Sequence, residues 1–139
     1  MQVNPYLSFN GQCEAAFKLY EQLLGGQIGD IFRYAGTPLA DQVPSDWQDK
    51  VMHATLTIGG QMLMGGDVAP DSYEAPKGFS MSIHIKGATE AERIFRELSQ
   101  GGKVGMPLEK TFWADRFGMV VDRFGIPWLI NCEGSDQPS

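Results

Sequence analysis

The chain has 139 residues, enough for one ordinary domain or two very small ones, and 42% of them are hydrophobic, which is sufficient for a packed core. Its 17 acidic residues outnumber the 11 basic ones, and the net charge of −6 argues against a nucleic-acid-binding surface. No apolar run approaches the roughly 20 residues of a membrane span, and the first residues lack the pattern of a secretory signal. We therefore expect a cytoplasmic protein without membrane or nucleic-acid partners, in which Cys13 and Cys132 are reduced core residues.

The predicted elements of the first half begin with a strand at 6–9 and a helix at 13–24. The helix carries an apolar stripe with helical spacing, formed by Ala16, Leu19, Tyr20 and Leu23. A strand follows at 28–34. Residues 51–58 alternate, turn at a Gly-Gly pair and return at 61–64, which predicts a hairpin. The first half therefore has the order β-α-β-β-β.

The second half repeats this order. A strand is predicted at 79–85, a helix at 89–100, a short strand at 103–107, and a hairpin of two strands at 117–121 and 126–132. Thr89 and Glu92 have the spacing of a capping box at the start of the helix. In both halves a Gly-Gly pair follows the helix, where a left-handed residue commonly ends it.

The two halves are also related in sequence. A shift of 76 positions aligns six identical residues in sixteen, from Gly11 on Gly87 to Gly26 on Gly102. A unit of roughly 70 residues buries little surface alone, so we expect two modules within one domain that spans 1–139. Module 1 covers about 3–66, a linker about 67–77, module 2 about 78–133, and a frayed tail 134–139.

The loop from Gly36 to Lys50 is longer than most connections and contains Trp47 among polar residues. Such a loop is either mobile surface or a lid, and the tryptophan favours a lid or a partner contact. The stretch from Gly65 to Gly78 is most simply the linker.

Several motifs resemble the PhnB-like branch of the vicinal oxygen chelate superfamily, which is also labelled a 3-demethylubiquinone 3-methyltransferase-like domain. The motifs are Pro5–Gly11, Ala16–Tyr20, Leu24–Gly26, His53-Ala54, Thr111–Gly118 and Asp122–Trp128. The resemblance implies an α+β fold of tandem βαβββ modules that form a curved mixed sheet around a cleft, as in glyoxalase, bleomycin-resistance and dihydroxybiphenyl dioxygenase proteins. It also implies a homodimer. The methyltransferase label fits poorly, because the sequence has no βαβ unit with a Gly-rich turn.

In that superfamily, His and Glu side chains at the start of the first strand and on the last strand of a module hold a divalent metal. The resemblance puts these four positions at Asn4, Met64, Ser80 and Leu129. None of the four side chains is a strong ligand for Zn²⁺, Mn²⁺ or Fe²⁺. We therefore expect no tightly bound metal, and the sequence names no other cofactor.

Strand alternation selects the polar side chains that could line the cleft, since apolar residues of the same strands should face the helices. These polar residues are Tyr6, Ser8, His53, Thr55, Ser82, His84, Asn131 and Glu133. Trp113, in the loop before the last hairpin, joins the ligand-contact candidates, although core or dimer packing is the simpler interpretation of Trp113 and Trp128. The Asp115-Arg116 and Asp122-Arg123 pairs are interpreted as surface ion pairs.

His53 and Glu133 are the candidates for an acid–base role, because an imidazole or a carboxylate can move a proton near neutral pH. Each has a simpler alternative. His53 at a strand end could tie the preceding loop to a backbone carbonyl, His84 could be exposed, and Glu133 before a polar tail could be solvated.

The sequence leaves two classes of function open. We expect a small polar organic molecule as partner, with no assigned reaction. The protein is either an enzyme of the superfamily, such as an isomerase, lyase or dioxygenase, or a non-catalytic protein that sequesters its ligand, as resistance proteins do. The missing metal ligands favour sequestration or chemistry without a metal.

Overall fold

The computed structural model describes residues 1–133, and the chain divides into two compact units that join between Glu74 and Ala75. The first unit contains one helix and four strands: β1 (Tyr6–Phe9), α1 (Cys13–Leu24), β2 (Gln27–Arg33), β3 (Val51–Ile58) and β4 (Gln61–Asp67). The strands form one mixed sheet in the order β1-β4-β3-β2, in which only the β1–β4 pair is parallel.

The second unit has the same topology. Its elements are β5 (Met81–Ile85), α2 (Ala88–Ser99), β6 (Lys103–Glu109), β7 (Arg116–Val121) and β8 (Pro127–Cys132). The sheet order is β5-β8-β7-β6, and again only the first pair is parallel. The α+β class and the tandem βαβββ order are thus confirmed.

Strand pairing relates the two units more closely than the sequence repeat alone. Tyr6 of β1 pairs with Met64 of β4, and Ser82 of β5 pairs with Leu129 of β8. Tyr6 and Ser82 differ by the 76 positions of the sequence repeat. Met64 and Leu129 are therefore equivalent positions of the two units, as the alignment of the hairpin turns predicts.

Helix α1 packs its apolar side on the first sheet. Ala16, Tyr20 and Leu23 of the predicted stripe are buried, and Cys13 and Phe17 extend it. The Phe17 ring lies against the backbone of Gly65, where an added Cβ would be 2.9 Å from the ring. The helix ends at Gly25, whose φ of 72° is the left-handed conformation that the Gly-Gly signal predicts.

The start of the second unit differs from the sequence-based expectation. Helix α2 begins at Ala88 with Gly87 as N-cap, and no side chain caps it, so the Thr89–Glu92 capping box is wrong. Strand β5 begins only at Met81, and Phe79 is 48% exposed instead of packing on the helix. The buried side chains of α2 are those of Ala91, Ile94 and Leu98.

The loop at 36–50 contains two short 3-10 helices, Ala40–Gln42 and Ser45–Trp47. Trp47 is only 7% exposed and lies near Gly11, so its apolar ring is used within its own unit. This corrects the interpretation of Trp47 as a mark of a partner contact. Residues 65–67, expected at the start of the linker, belong to β4.

Among residues 1–133, each unit contains one buried carboxylate. Asp67, at 2% exposure, accepts the backbone N–H groups of Cys13 and Val51 at 2.9 Å each. Asp122, at 3%, accepts the N–H groups of Phe124 and Ile126 and the indole N–H of Trp128. Asp122 therefore organises the β7–β8 turn, and its interpretation as half of a surface ion pair is wrong.

The predicted Asp115-Arg116 pair is present on the surface, with a nitrogen–oxygen distance of 3.6 Å. Within residues 1–133, neither helix is long and apolar enough to cross a membrane.

Candidate functional site

Strand register defines two faces of the first sheet. Leu7, Gly65 and Ala54 form one row across β1, β4 and β3, and the Phe17 ring on Gly65 places this row against α1. The next row, Tyr6, Met64 and Thr55, therefore lies on the opposite side of the sheet. We call this opposite side the open face of the first unit; it also carries Ser8, His53, Thr57 and Met62.

Tyr6 and His53 form the centre of this open face. Their rings are stacked with centroids 5.7 Å apart and an interplanar angle of 24°. The Tyr6 hydroxyl oxygen lies 3.4 Å from His53 Nδ1 and donates its proton to the Met52 carbonyl at 3.4 Å. With that proton committed, the oxygen can accept Nδ1–H, which leaves His53 Nε2 as an acceptor.

Burial raises the pKa of Tyr6 above the usual phenol value, with smaller contributions from Cys13 and Tyr34. The phenol is therefore protonated at neutral pH and acts as a hydrogen-bond donor. Because the phenol is protonated, the Tyr6–His53 pair as a whole carries no charge when the imidazole is uncharged.

A β-bulge at Met52 creates this arrangement. Phe32 of β2 pairs with His53, but the next residue, Arg33, pairs with Val51, so Met52 is the extra residue. Val51 is consequently in the core and Met52 is only half-buried, which corrects the predicted alternation of β3. The bulge carbonyl is the acceptor for Tyr6, and simple alternation of polar and apolar residues gives no sign of it.

Thr55 extends the polar row toward β2. Its Oγ1 accepts the backbone N–H of Asp30 at 3.2 Å. Gly29 lies over the same hydroxyl, where an added Cβ would be only 2.5 Å away. The Thr55 hydroxyl proton remains available to a further acceptor.

The open face of the second unit follows the same rule. The Phe95 ring of α2 lies against Gly118, so the row Gly118, Ile130 and Ile83 faces the helix. The rows on the other side are His84–Asn131–Phe117 and Ser82–Leu129–Met119.

Ser82 and His84 are in contact, with 3.0 Å between Ser82 Oγ and His84 Nε2. Asn131 is the strand partner of His84 on one side and of Phe117 on the other. The Trp113 ring lies edge-on to Phe117 at 5.2 Å and is 46% exposed. The predicted residues of this unit are therefore neighbours on one face.

Glu133 stands apart from this group. It follows the end of β8, its side chain is exposed, and its backbone N–H donates to the Ile85 carbonyl at 3.2 Å. Within residues 1–133, no hydrogen bond or ion pair of the Glu133 carboxylate is found.

The structure identifies Asp67 as a supporting residue that the sequence analysis missed. Its carboxylate holds the start of α1 and the start of β3, while its carbonyl accepts the Tyr34 hydroxyl at 2.6 Å. Burial raises the Asp67 pKa, and the backbone donors and Lys50 oppose this shift. Burial also strongly raises the pKa of the adjacent Cys13 thiol, with the Asp67 charge adding to the effect. The sequence feature that could have indicated this role is a single acidic residue at the end of an apolar strand.

The four positions where the resemblance implies metal ligands do not fit a divalent ion. Met64 and Leu129 are equivalent by strand pairing, and both offer side chains that are poor donors for a hard or borderline cation. Asn4 and Ser80 supply at most neutral oxygens. In the described part of the chain, no three His, Cys, Asp or Glu side chains are grouped as a ligand set.

Comparison with known sequences identifies the family. The sequence profile of the family described as 3-demethylubiquinone-9 3-methyltransferase matches residues 1–131. The chain belongs to this PhnB-like family. A relative, Protein YjdN of Escherichia coli strain K12, is 34% identical over 139 residues, which covers 94% of this chain and 95% of the relative.

Solved structures agree with the PhnB-like assignment. Protein PA1353 from Pseudomonas aeruginosa is 46% identical with a TM-score of 0.87, covering 97% of this chain and 99% of that one. A Bacillus cereus structure described as a putative 3-demethylubiquinone-9 3-methyltransferase, PhnB protein, is 25% identical with a TM-score of 0.83, covering 95% and 99%. The fosfomycin resistance protein FosX from Listeria monocytogenes shares the fold at 8% identity, with a TM-score of 0.63 and coverage of 96% and 93%. These neighbours have the fold that the resemblance implies.

Proposed function

We propose that this PhnB-like protein binds a small polar organic molecule on the open faces of its sheets, and that binding does not depend on a resident divalent metal. The observation that carries the proposal is the Tyr6–His53 pair. A tyrosine that is 48% exposed, stacked on an imidazole, combines an aromatic surface with hydrogen-bonding groups.

The polar groups around this pair have unused capacity. Within the described residues, Nε2 of His53 has no hydrogen-bond partner, and the Thr55 hydroxyl uses only its acceptor side. Met64 lies between Tyr6 and Thr55 in the same row and supplies an adaptable apolar contact. A ligand with both apolar and hydrogen-bonding parts would satisfy these groups together.

The donor chemistry supports binding without a metal. A divalent ion held by the side chains of Asn4, Met64, Ser80 and Leu129 would lose hydration without gaining a charged or imidazole ligand. The family description names a methyltransferase, but neither sheet is the parallel, doubly wound sheet of nucleotide-binding folds. We therefore assign binding and leave the reaction open.

A metal-free isomerase or lyase is the second candidate, and the contact of Tyr6 with His53 favours it. A neutral imidazole hydrogen-bonded to a phenol can relay a proton to a bound substrate. Substrate conversion, rather than simple retention of the ligand, would distinguish this candidate from sequestration.

A thermal-shift screen with divalent metals and small metabolites on one plate tests the proposal. We expect organic compounds of one class to raise the melting temperature, with no requirement for a metal. His53→Ala should abolish that shift, while the melting temperature of the free protein changes little because His53 lies outside the core.

Gln22→Ala on the exposed side of α1 is the matched control and should keep the ligand-induced shift. An unchanged shift in His53→Ala would remove His53 from the binding site. Stabilisation by metals alone, or by organic compounds only together with a metal, would contradict the proposal.

A further inference from the structure

We infer that the ligand is an electrically neutral molecule with an aromatic or apolar body and hydroxyl, amide or carbonyl groups, and not a phosphonate or carboxylate anion. This inference rests on the proposed binding at the open faces and adds the chemical class of the ligand. The inference follows from the positions of the charged side chains in the two sheets and from the ion pairs and hydrogen bonds that these side chains form.

The central strands of the first sheet offer no cation to an anionic ligand. Strands β1, β3 and β4 contain no Lys, Arg or Glu, and the carboxylate of Asp67 is buried on backbone N–H groups. The titratable side chains that β1, β3 and β4 place on this open face are the Tyr6 phenol and the His53 imidazole. An anion placed here would lose its hydration without gaining a permanently charged partner, which is unfavourable.

The nearest basic residues of this unit are committed elsewhere. Both terminal nitrogens of Arg33 bond the Glu14 carboxylate, at 3.2 and 3.0 Å, and one also donates to the Asp49 carbonyl. Its strand partner Val51 lies in the core, so Arg33 belongs to the helix side of the sheet. The Lys50 side chain lies beside Gly11. Its positive charge favours the ionised Asp67 carboxylate and partly offsets the rise in the Asp67 pKa that burial causes.

The start of a helix is the other common place for an anion, because its backbone N–H groups point outward there. In α1 this place is filled by the protein itself, since Asp67 Oδ1 accepts the Cys13 N–H at 2.9 Å. In α2 the first turn carries Glu90, which is paired with Arg93. An external anion is thus disfavoured at both helix starts.

In the second unit, the edge strand β6 carries Lys103 and Glu109, whose strand partners are Val121 and Phe117, so its charges lie at that edge. Strands β5 and β8 contain no charged side chain. Arg116 of β7 is paired with Glu92 of α2 and with Asp115, at 3.4 and 3.6 Å. The net charge of −6 adds a long-range field that repels anions further.

The groups that are present suit a neutral ligand. The Tyr6 ring offers a stacking surface, Met62 is 37% exposed on the same side, and His53 Nε2 and the Thr55 hydroxyl offer one acceptor and one donor. A planar amide or phenol can use all of these groups without burying a charge.

The test compares two probes of the same shape, 4-hydroxybenzamide and 4-hydroxybenzoate, with phenylphosphonate as a third. Affinity and location are measured together by amide chemical-shift titration of the ¹⁵N-labelled full chain. We expect 4-hydroxybenzamide to shift open-face resonances and to bind about tenfold more tightly than either anion.

Charge variants sharpen this comparison. Met64→Lys places a cation between Tyr6 and Thr55 and should reverse the preference toward 4-hydroxybenzoate, and the more exposed Met62→Lys serves if the first variant does not fold. Gln22→Lys adds the same charge on α1, away from the open face, and should leave the preference unchanged.

The outcomes separate the two claims. Tighter binding of an anion at the open face of the unmodified protein would overturn the neutral class and leave the proposed function intact. Failure of all three probes to shift open-face resonances in the unmodified protein and in the lysine variants would overturn both. A reversal caused equally by Gln22→Lys would show a general charge effect and would also overturn the inference.

Discussion

At the scale of single residues, the carboxylate of Asp67 joins segments that are far apart in sequence. It binds the first turn of α1 and the first residue of β3, while its own carbonyl receives the Tyr34 hydroxyl. The residues that position Tyr6 and His53 therefore depend on one buried acid. The Asp67 carboxylate is held mainly by backbone N–H groups. Within the described residues, no other side chain accepts hydrogen bonds from both Cys13 and Val51.

Asp67→Ala should destabilise the protein by about 3 kcal/mol, because two backbone N–H groups lose their partner in a buried place. Urea unfolding measures this loss. Asp71→Ala removes an exposed aspartate four residues later and should change the free energy of unfolding by less than about 0.5 kcal/mol. Equal effects of the two substitutions would refute the role given to Asp67.

The Glu14–Arg33 pair gives a prediction about pH. Hydrogen bonding to Arg33 holds the pKa of Glu14 below its usual value, so the pair stabilises the fold above the unfolded-state pKa. That contribution disappears as the pH falls through the lower folded-state pKa. Because the pair is partly exposed and screened by solvent, Glu14→Gln should cost only about 0.5 kcal/mol at pH 7.

Urea unfolding at neutral and at acidic pH checks the sign. The difference between Glu14→Gln and the unmodified protein should shrink as the pH is lowered, while the exposed Glu74→Gln control should show little difference at neutral pH. A difference that grows toward acid would contradict the assignment of the pair.

At the scale of elements, the end of β4 connects packing to the candidate site. An added Cβ at Gly65 would lie 2.8 Å from the Leu7 carbonyl oxygen and 2.9 Å from the Phe17 ring. At Gly66 it would lie 2.5 Å from the Met52 carbonyl oxygen and 3.0 Å from the Tyr6 hydroxyl. Glycine is thus needed where another backbone approaches closely on each face of the strand.

Gly66→Ala should therefore displace the Met52 carbonyl and the Tyr6 hydroxyl, with a loss of about 1–3 kcal/mol in unfolding free energy. It should also shift the ring resonances of Tyr6 and His53. Gly105→Ala on β6 is the control, since its Cβ would meet its nearest neighbour at an ordinary 3.8 Å. Unchanged stability and ring resonances in Gly66→Ala would disprove the close approach.

These glycines also explain where sequence-based prediction ends. Alternation and helical spacing place β3 and α1 at their observed positions, because α1 has a continuous apolar side and β3 alternates beyond Met52. Gly65 and Gly66 resemble the start of a loop in sequence, yet close packing makes them part of β4. The bulge at Met52 escapes prediction for a related reason, since it depends on the pairing of β3 with β2.

For the candidate site, too, the sequence predicts which side of the sheet a residue faces but not its long-range contacts. Alternation puts Tyr6 and His53 on the side away from the helices, as observed. Their contact requires the pairing of β1 with β4 and of β4 with β3. It joins residues 47 positions apart, so no local sequence pattern predicts it. The role of Asp67 depends on the same long-range arrangement.

At the scale of the whole molecule, the chain has the PhnB-like fold, and within residues 1–133 no three His, Cys, Asp or Glu side chains are grouped as a metal-ligand set. Both units have the same strand order, and the equivalent positions Met64 and Leu129 carry apolar side chains. Arg33 and Arg116 are paired with carboxylates of the helices, and the edge strand β6 carries Lys103 and Glu109. The homodimer and the cytoplasmic location stay predictions.

We propose that this protein binds its ligand without a resident divalent metal, and elemental analysis measures the metal content directly. Untagged full-length protein is measured as purified, and again after incubation with Mn²⁺, Fe²⁺, Ni²⁺ and Zn²⁺ followed by gel filtration. We expect each metal to remain far below one ion per chain in both samples, because Asn4, Met64, Ser80 and Leu129 cannot replace its hydration shell. Retention of about one ion of any of these metals per chain would contradict this proposal.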